Sequence, residues 1–231
     1  MHSTQPVITD RLVAAERGVL ATLRALVPQR PLSPWETLRI AELQANRLLR
    51  HFEIDAVPVP EEIISELPRI RVLREPGLPV SGCAHWDGRF WIITLDADEH
   101  PLRQRFSLMH EFKHVLDHTT KHFLYYDRSL YAANERAERV ADYFAACLLM
   151  PKRIVKSLWF HGPQSTEHLV EQLQVSSAAV RYRLDQLGLT ERRTRCVDRP
   201  FYRRGAESRL ASRRCSRCTT RASRPPVEGR G

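Results

Sequence analysis

His110-Glu111-Phe112-Lys113-His114, read with Glu138-Arg139-Val140-Ala141-Asp142 further along, decides how this chain folds. Residues four apart on an α-helix stand one turn above each other on the same face, so His110 and His114 can grip one metal ion between them. Glu111 lies beside the first histidine, placed to take a proton from a water activated by that ion. Two histidines leave such an ion in need of a third protein ligand and one open position. The extended pattern with a third histidine would need glycine and histidine where this chain has Asp117 and Thr120, so that source is excluded. Glu138, on a separate downstream helix, is the alternative. Asp142 lies one turn beyond it, placed to accept the spare N–H of a metal-bound histidine and fix its tautomer. Ala141 and Ala145 are small enough to let the two helices approach closely.

A glutamate and an aspartate four apart more often line a solvated helix face. Here Val140, Phe144, Cys147 and Leu148 form an adjoining apolar stripe. A largely buried helix does not carry two carboxylates without a counter-charge. Zn2+ with its histidines would be that counter-charge.

Three stretches carry a resemblance: Arg105-Phe106-Ser107-Leu108-Met109-His110-Glu111, the spacing Glu138-x-x-Ala141-Asp142-x-Phe144-Ala145, and Leu148-Leu149-Met150-Pro151. From about Pro34 to about Leu189 the chain resembles the ImmA/IrrE family of bacterial zinc metallopeptidases. That resemblance implies Zn2+ held by His110, His114 and Glu138, with Glu111 as general base and Asp142 behind the ligands. His118 matches a histidine often found one turn after the motif. The implied fold is α+β, a mainly helical zincin-like core of the thermolysin type (gluzincin-like) with a small β-sheet. The implied activity is that of a cytoplasmic endopeptidase. Its implied substrate is a helix-turn-helix transcriptional repressor of a prophage, mobile element or stress response, a partner that residue spacing does not reveal. One departure stands out: Lys113 occupies a position where the family commonly has glycine. It is expected to alter helix packing and leave metal binding intact.

Composition bounds the alternatives. The net charge of +9 resides in residues 191–231, where 13 arginines face 4 acidic residues; residues 1–190 carry 23 basic and 23 acidic side chains. A high isoelectric point therefore gives no footprint for DNA binding by the body of the protein. No apolar run is long enough to span a bilayer, and Met1 to Asp10 lacks the charged leader and apolar core of a secretory signal. Five cysteines, with Cys83 and Cys147 in apolar runs, suit reduced and packed thiols better than a disulfide framework. Cys215 and Cys218 have the spacing of half a zinc ribbon, but no histidine follows His168 to complete it.

The expected organisation is a helical extension over 1–33, a metallopeptidase core over 34–160, a helix-turn-helix-like segment over 161–190 and a basic disordered tail over 191–231. Helices are expected at Thr9–Val27, at Pro34–His51 behind a Ser33/Glu36 capping box, and at Glu61–Leu67. Strands are expected at Arg69–Arg74, Val80–Trp86 and Arg89–Leu95, with Asp87-Gly88 as a two-residue hairpin turn. Either of the last two strands is expected to wall the cleft and pair with an extended substrate. His85 there reads as a surface residue. Tyr125, Tyr126 and Tyr131 read as packing residues. Ser165 and Ser176 are expected caps of the two helices in the last segment, where two arginines face three acidic residues. That balance favours packing or substrate docking over DNA contact. Two other functions fit the same residues: a regulator that binds DNA or a repressor without cutting it, and a toxin–antitoxin component.

Overall fold

Residues 18–127 and 129–189 are described by the computed structural model. In chain order they form a helix at residues 18–24 (α1), α2 (Pro34–His51), α3 (Glu62–Ser65), β1 (Ile70–Glu75), β2 (Gly82–Trp86) and β3 (Trp91–Asp96). There follow α4 (Pro101–Asp117), α5 (Lys121–Leu124), α6 (Leu130–Leu149), α7 (Lys152–His161), α8 (Thr166–Leu173) and α9 (Ser177–Gln186). The fold is mixed α+β, mostly helical with one small sheet. No described helix is long and apolar enough to cross a membrane.

The sheet order is β1-β3-β2, with β1 parallel and β2 antiparallel to the central β3. β3 reads Trp91-Ile92-Ile93-Thr94-Leu95-Asp96, and Ile92 through Leu95 are all buried, as a strand covered on both faces requires. β2 is an edge strand with period-two burial: Gly82 and Ala84 are half-buried, while Cys83 and His85 are exposed. The expected packing of Cys83 is therefore wrong. Its neighbours are apolar, but the pleat turns it to the outer face; of the two cysteines among the described residues, Cys147 is the buried one. The expected turn is displaced by one residue: beyond the Trp86–Trp91 pair, Asp87 N donates to the Phe90 carbonyl at 3.1 Å, so Gly88 and Arg89, and not Asp87 and Gly88, stand at the tip. The Asp87 carboxylate accepts the backbone N–H groups of Arg89 and Phe90 at 2.7 and 2.6 Å, an Asx turn.

α4 lies between the sheet and α6, and α6 packs in turn on α2. Its apolar side is fully buried through Leu108, Met109, Phe112, Val115 and Leu116, with the Phe112 ring 6.1 Å from Phe144 on α6. Ala141 and Ala145 at that contact are fully buried. The α4 ends are fastened. His100 accepts from Leu102 N at the start. Arg24 of α1 donates to the Val115 and Leu116 carbonyls at 2.8 and 3.1 Å near the finish, meeting backbone groups that the helix cannot pair itself. Inside α4, Lys113 is fully buried, and its ammonium pairs with Asp117 one turn on, whose other oxygen accepts from the Tyr125 hydroxyl. This pairing is the packing consequence of having lysine there.

The capping box of α2 forms, with Ser33 N donating to Glu36 Oε2 at 2.9 Å and Pro34 in the first turn. Ser165 and Ser176 cap α8 and α9 as expected. The expected start of the first helix at Thr9, the tail, and Cys196, Cys215 and Cys218 lie outside the described residues.

Candidate metal centre

Two helices bring the expected residues together. α4 presents His110, Glu111 and His114, and α6 presents Glu138 and Asp142. The two imidazole Nε2 atoms are 3.0 Å apart, His110 Nε2 is 3.2 Å from Glu138 Oε2, and His114 Nε2 is 3.5 Å from Glu138 Oε1. One donor atom from each lies within 4.8 Å of the others, and His110, His114 and Glu138 form the one such group among the described residues. Ligands about 2.0–2.1 Å from a tetrahedral ion stand roughly 3.3 Å from each other, the edge of the tetrahedron. The three separations bracket that length, so the residues fit a small divalent ion of the zinc kind. His85 is exposed and takes no part.

Asp142 holds the far side of the first histidine, 2.8 Å from His110 Nδ1. That contact fixes which nitrogen carries the proton and aims Nε2 at Glu138. Burial pushes the His110 pKa down, but the hydrogen bond and charge of Asp142, helped by Glu111 and Glu138, outweigh it and leave the value raised. His114 lacks such a partner; burial and the neighbouring His110 hold its pKa below the ordinary value. Glu111 is pushed upward by burial, with the Glu138 carboxylate adding to the shift and His110 opposing it. A carboxylate so placed is a stronger base than one in open water.

Two cavities open on either side of the cluster. The first, about 530 Å³, holds His110, Glu111 and Asp142 and is walled by Ser81 and Gly82 of the β2 end and by Arg103. The second, about 520 Å³, holds His114 and is walled by Ala84, Trp91 and Tyr126. Glu138 lines both. Of the two strands expected to wall the cleft, β2 provides the free edge; β3 is central. Gly82 lets β2 approach closely there: a Cβ at that position would stand 3.1 Å from Glu111 Cγ and 3.2 Å from Leu95 Cδ2, so both side chains would have to give by a few tenths of an ångström.

Several residues of the site escaped sequence reasoning. Ser176, Ala178, Ala179 and Tyr182 at the start of α9 line the first cavity. Arg105 helps hold α9 over it, donating to the Gln174 carbonyl at 3.1 Å and to the Val59 carbonyl at 2.8 Å. Arg183, buried on α9, donates to the Met150 carbonyl at 3.1 Å. No local spacing marks these residues. Tyr125 is buried against Asp117, while Tyr126 and Tyr131 are exposed. His118 follows α4 and packs on the Trp91 ring at 4.9 Å.

The model of the family described as the IrrE N-terminal-like domain (Peptidase M78) matches residues 68–185, a span that contains all five expected site residues. Among solved structures, the chain is similar to a Mycobacterium tuberculosis transcriptional regulator. The TM-score is 0.54 and the identity 19%, covering 71% of this chain and 54% of that one. At that identity the likeness is one of fold, and the chain spans about half the length of that structure. No curated protein matches the sequence.

Proposed function

The chain belongs to the IrrE N-terminal-like (Peptidase M78) family, and from that membership we propose that it is a cytoplasmic zinc-dependent endopeptidase acting on a protein. The observation that carries the reading is the convergence of His110, His114 and Glu138 beside Glu111, in a cleft bordered by an unpaired strand edge. Zinc held by those three would supply Lewis acidity, easing deprotonation of water and polarising a peptide carbonyl. Glu111 takes the proton of the attacking water and returns it to the leaving amine. Asp142 keeps His110 in the tautomer that presents Nε2 to the metal. The free edge of β2 binds the substrate as an added strand, holding the scissile bond by main-chain hydrogen bonds.

The core in this reading is zincin-like and extends over 34–160, and α8 and α9 form a helix-turn-helix-like element. In such an element the start of the second helix reads bases. Here Ser176, Ala178 and Ala179 at that start, with Tyr182 one turn on, line the cavity that holds Glu111. That position favours substrate docking by α9 over DNA reading. The substrate proposed is a helix-turn-helix transcriptional repressor of a prophage, mobile element or stress response. The family resemblance supports that choice.

A cleavage assay tests this. Zinc-loaded wild type and Glu111→Gln are incubated with the repressor-like protein encoded nearest the gene, and the products are read by mass spectrometry. One new terminus with wild type alone is expected. Intact substrate in both arms, with one zinc per chain, would move the reading to a regulator that binds without cutting.

A further inference from the structure

The second cavity is walled mostly by polar and ionisable side chains, and its charges can be settled one at a time. Three carboxylates face it, and each is already engaged. Asp117 takes the buried Lys113 ammonium and the Tyr125 hydroxyl. Asp127 pairs with Arg136 at 2.9 Å and accepts the Ser129 N–H at 3.1 Å. Glu138 turns its oxygens to the two imidazoles, at 3.2 and 3.5 Å, where a divalent ion would neutralise it further.

The groups left over are of the opposite kind. Lys121 lines the same space and has no ion-pair partner among the described residues. His118, His122 and Asn134 line it too, and their ring nitrogens and side-chain amide have no hydrogen-bond partner among those residues. An exposed lysine on a convex surface is satisfied by water. Lys121 stands instead on the wall of a space of about 520 Å³, among three further groups able to donate N–H bonds. An anion there meets a full positive charge and several donors at once, the arrangement in which charge-assisted hydrogen bonds are strong. A cationic guest would add to the unmatched charge, and an apolar one would strip water from donors that it cannot satisfy.

Register brings a peptide to this cavity. Gly82 lines the first cavity and Ala84 the second, two residues apart on one face of β2. A peptide extended along the free edge of β2 advances about 3.3 Å per residue, so side chains on its inner face recur roughly every 6.6 Å. Such a peptide passes the Glu111 and Glu138 carboxylates while one inner group reaches the second cavity.

We propose that the second cavity binds a carboxylate of the substrate, with the Lys121 ammonium as its counter-charge and His118, His122 and Asn134 as donors around it. The source is an aspartate or glutamate side chain close to the bond presented at the cluster, or the C-terminal carboxylate of a chain that ends there. The proposal rests on the peptidase reading above for its extended-peptide ligand.

The test separates binding from cutting. Zinc-loaded Glu111→Gln is titrated at low salt with labelled nonapeptides that carry a C-terminal amide and differ only in a central glutamate, glutamine, leucine or lysine, and anisotropy gives the affinities. The glutamate peptide is expected to bind about fivefold to tenfold tighter than its uncharged glutamine isostere, an advantage that shrinks as salt is raised. Lys121→Ala, an exposed change that folding tolerates, is expected to remove most of that advantage, and Lys121→Glu to transfer the preference to the lysine peptide. A peptide cut short at the central position, compared as free carboxylate and as amide, decides the source. A preference for the free end assigns the carboxylate to a chain terminus, and one confined to the central glutamate assigns it to a side chain. Equal affinities in both comparisons, no measurable binding by any peptide, or a preference that both Lys121 variants retain would overturn the subsite. Wild type is then given the same peptides. Selective binding without cleavage would leave the subsite standing and count against the peptidase reading, whereas cleavage indifferent to the carboxylate would do the reverse.

Discussion

Replacing Lys113 with methionine while leaving Asp117 in place should destabilise the protein strongly, and the structure sets the scale. The two side chains are 0% and 3% exposed, so neither charge reaches water. Burial pushes the Lys113 pKa down, and only the pairing with Asp117 opposes it. Removing one member of a buried ion pair costs about 3–5 kcal/mol, because the other charge is left without compensation. Lys113→Met should lie at the low end, since Tyr125 still donates to Asp117 and the charge of Arg24 is near enough to interact with it. Asp117→Leu should lie at the high end, stranding both the ammonium and the Tyr125 hydroxyl. The double variant leaves only that hydroxyl unpaired, a loss of about 1–3 kcal/mol. The double-mutant cycle should therefore show coupling of roughly 3 kcal/mol or more. Urea unfolding of the metal-free full chain, monitored by tryptophan fluorescence, measures each corner. Coupling below about 1 kcal/mol, or a Lys113→Met loss of that size, would refute the claim that this pair is mutually dependent.

Four further substitutions address the metal site and its general base. His110→Ala and Glu138→Ala should each lose bound zinc and, with it, the metal-linked stability, about 4 kcal/mol when free zinc stands at a thousandfold its Kd. Metal content by atomic emission that matches wild type in both would remove them from the ligand set. Asp142→Asn should keep the site but weaken zinc binding about 10–100-fold, read by competition with a chromogenic chelator; unchanged affinity would make the 2.8 Å contact to His110 incidental. Gly82→Val should retain metal while cutting turnover about a hundredfold, because its side chain must displace Glu111 from 3.1 Å. Full activity on a cleavable peptide would show that Glu111 has room to move.

What was legible in the sequence is what local periodicity encodes. His110 and His114 declare a shared helix face, Ser33 and Glu36 declare a helix start, and the apolar run of β3 declares a strand, though not which strand is central. Glu138 was chosen on the argument that a carboxylate on a buried helix needs a counter-charge, but its side chain is 62% exposed, so water could have met that need and burial was not the reason it stands beside the histidines. Cys83 was misjudged because composition gives polarity, whereas the pleat decides which side of an edge strand faces solvent. The Asp87 turn was misjudged by one residue because the Asp87 carboxylate takes the Arg89 and Phe90 N–H groups, which holds Asp87 opposite Phe90 and leaves Gly88 and Arg89 at the tip.

The placement of α9 was out of reach for a different reason. Arg105 lies in the stretch leading to the histidines, yet it donates to the Gln174 carbonyl, 69 residues away, just before α9 begins. Gln174 holds a left-handed backbone there, with φ 52°, and the chain turns sharply into the Ser176 cap. Arg183 holds the other part of the helix to the end of α6, through the Met150 carbonyl. These two guanidinium groups bind backbone oxygens, which every residue possesses, so no residue type or spacing marks their partners. What they fix is the wall of the first cavity: Ser176 and Tyr182 are held across from Glu111 by arginines that come from, or reach to, the two helices of the metal site. A helix secured in this way is part of the cleft, and its exposed surface is shaped by what the cleft receives.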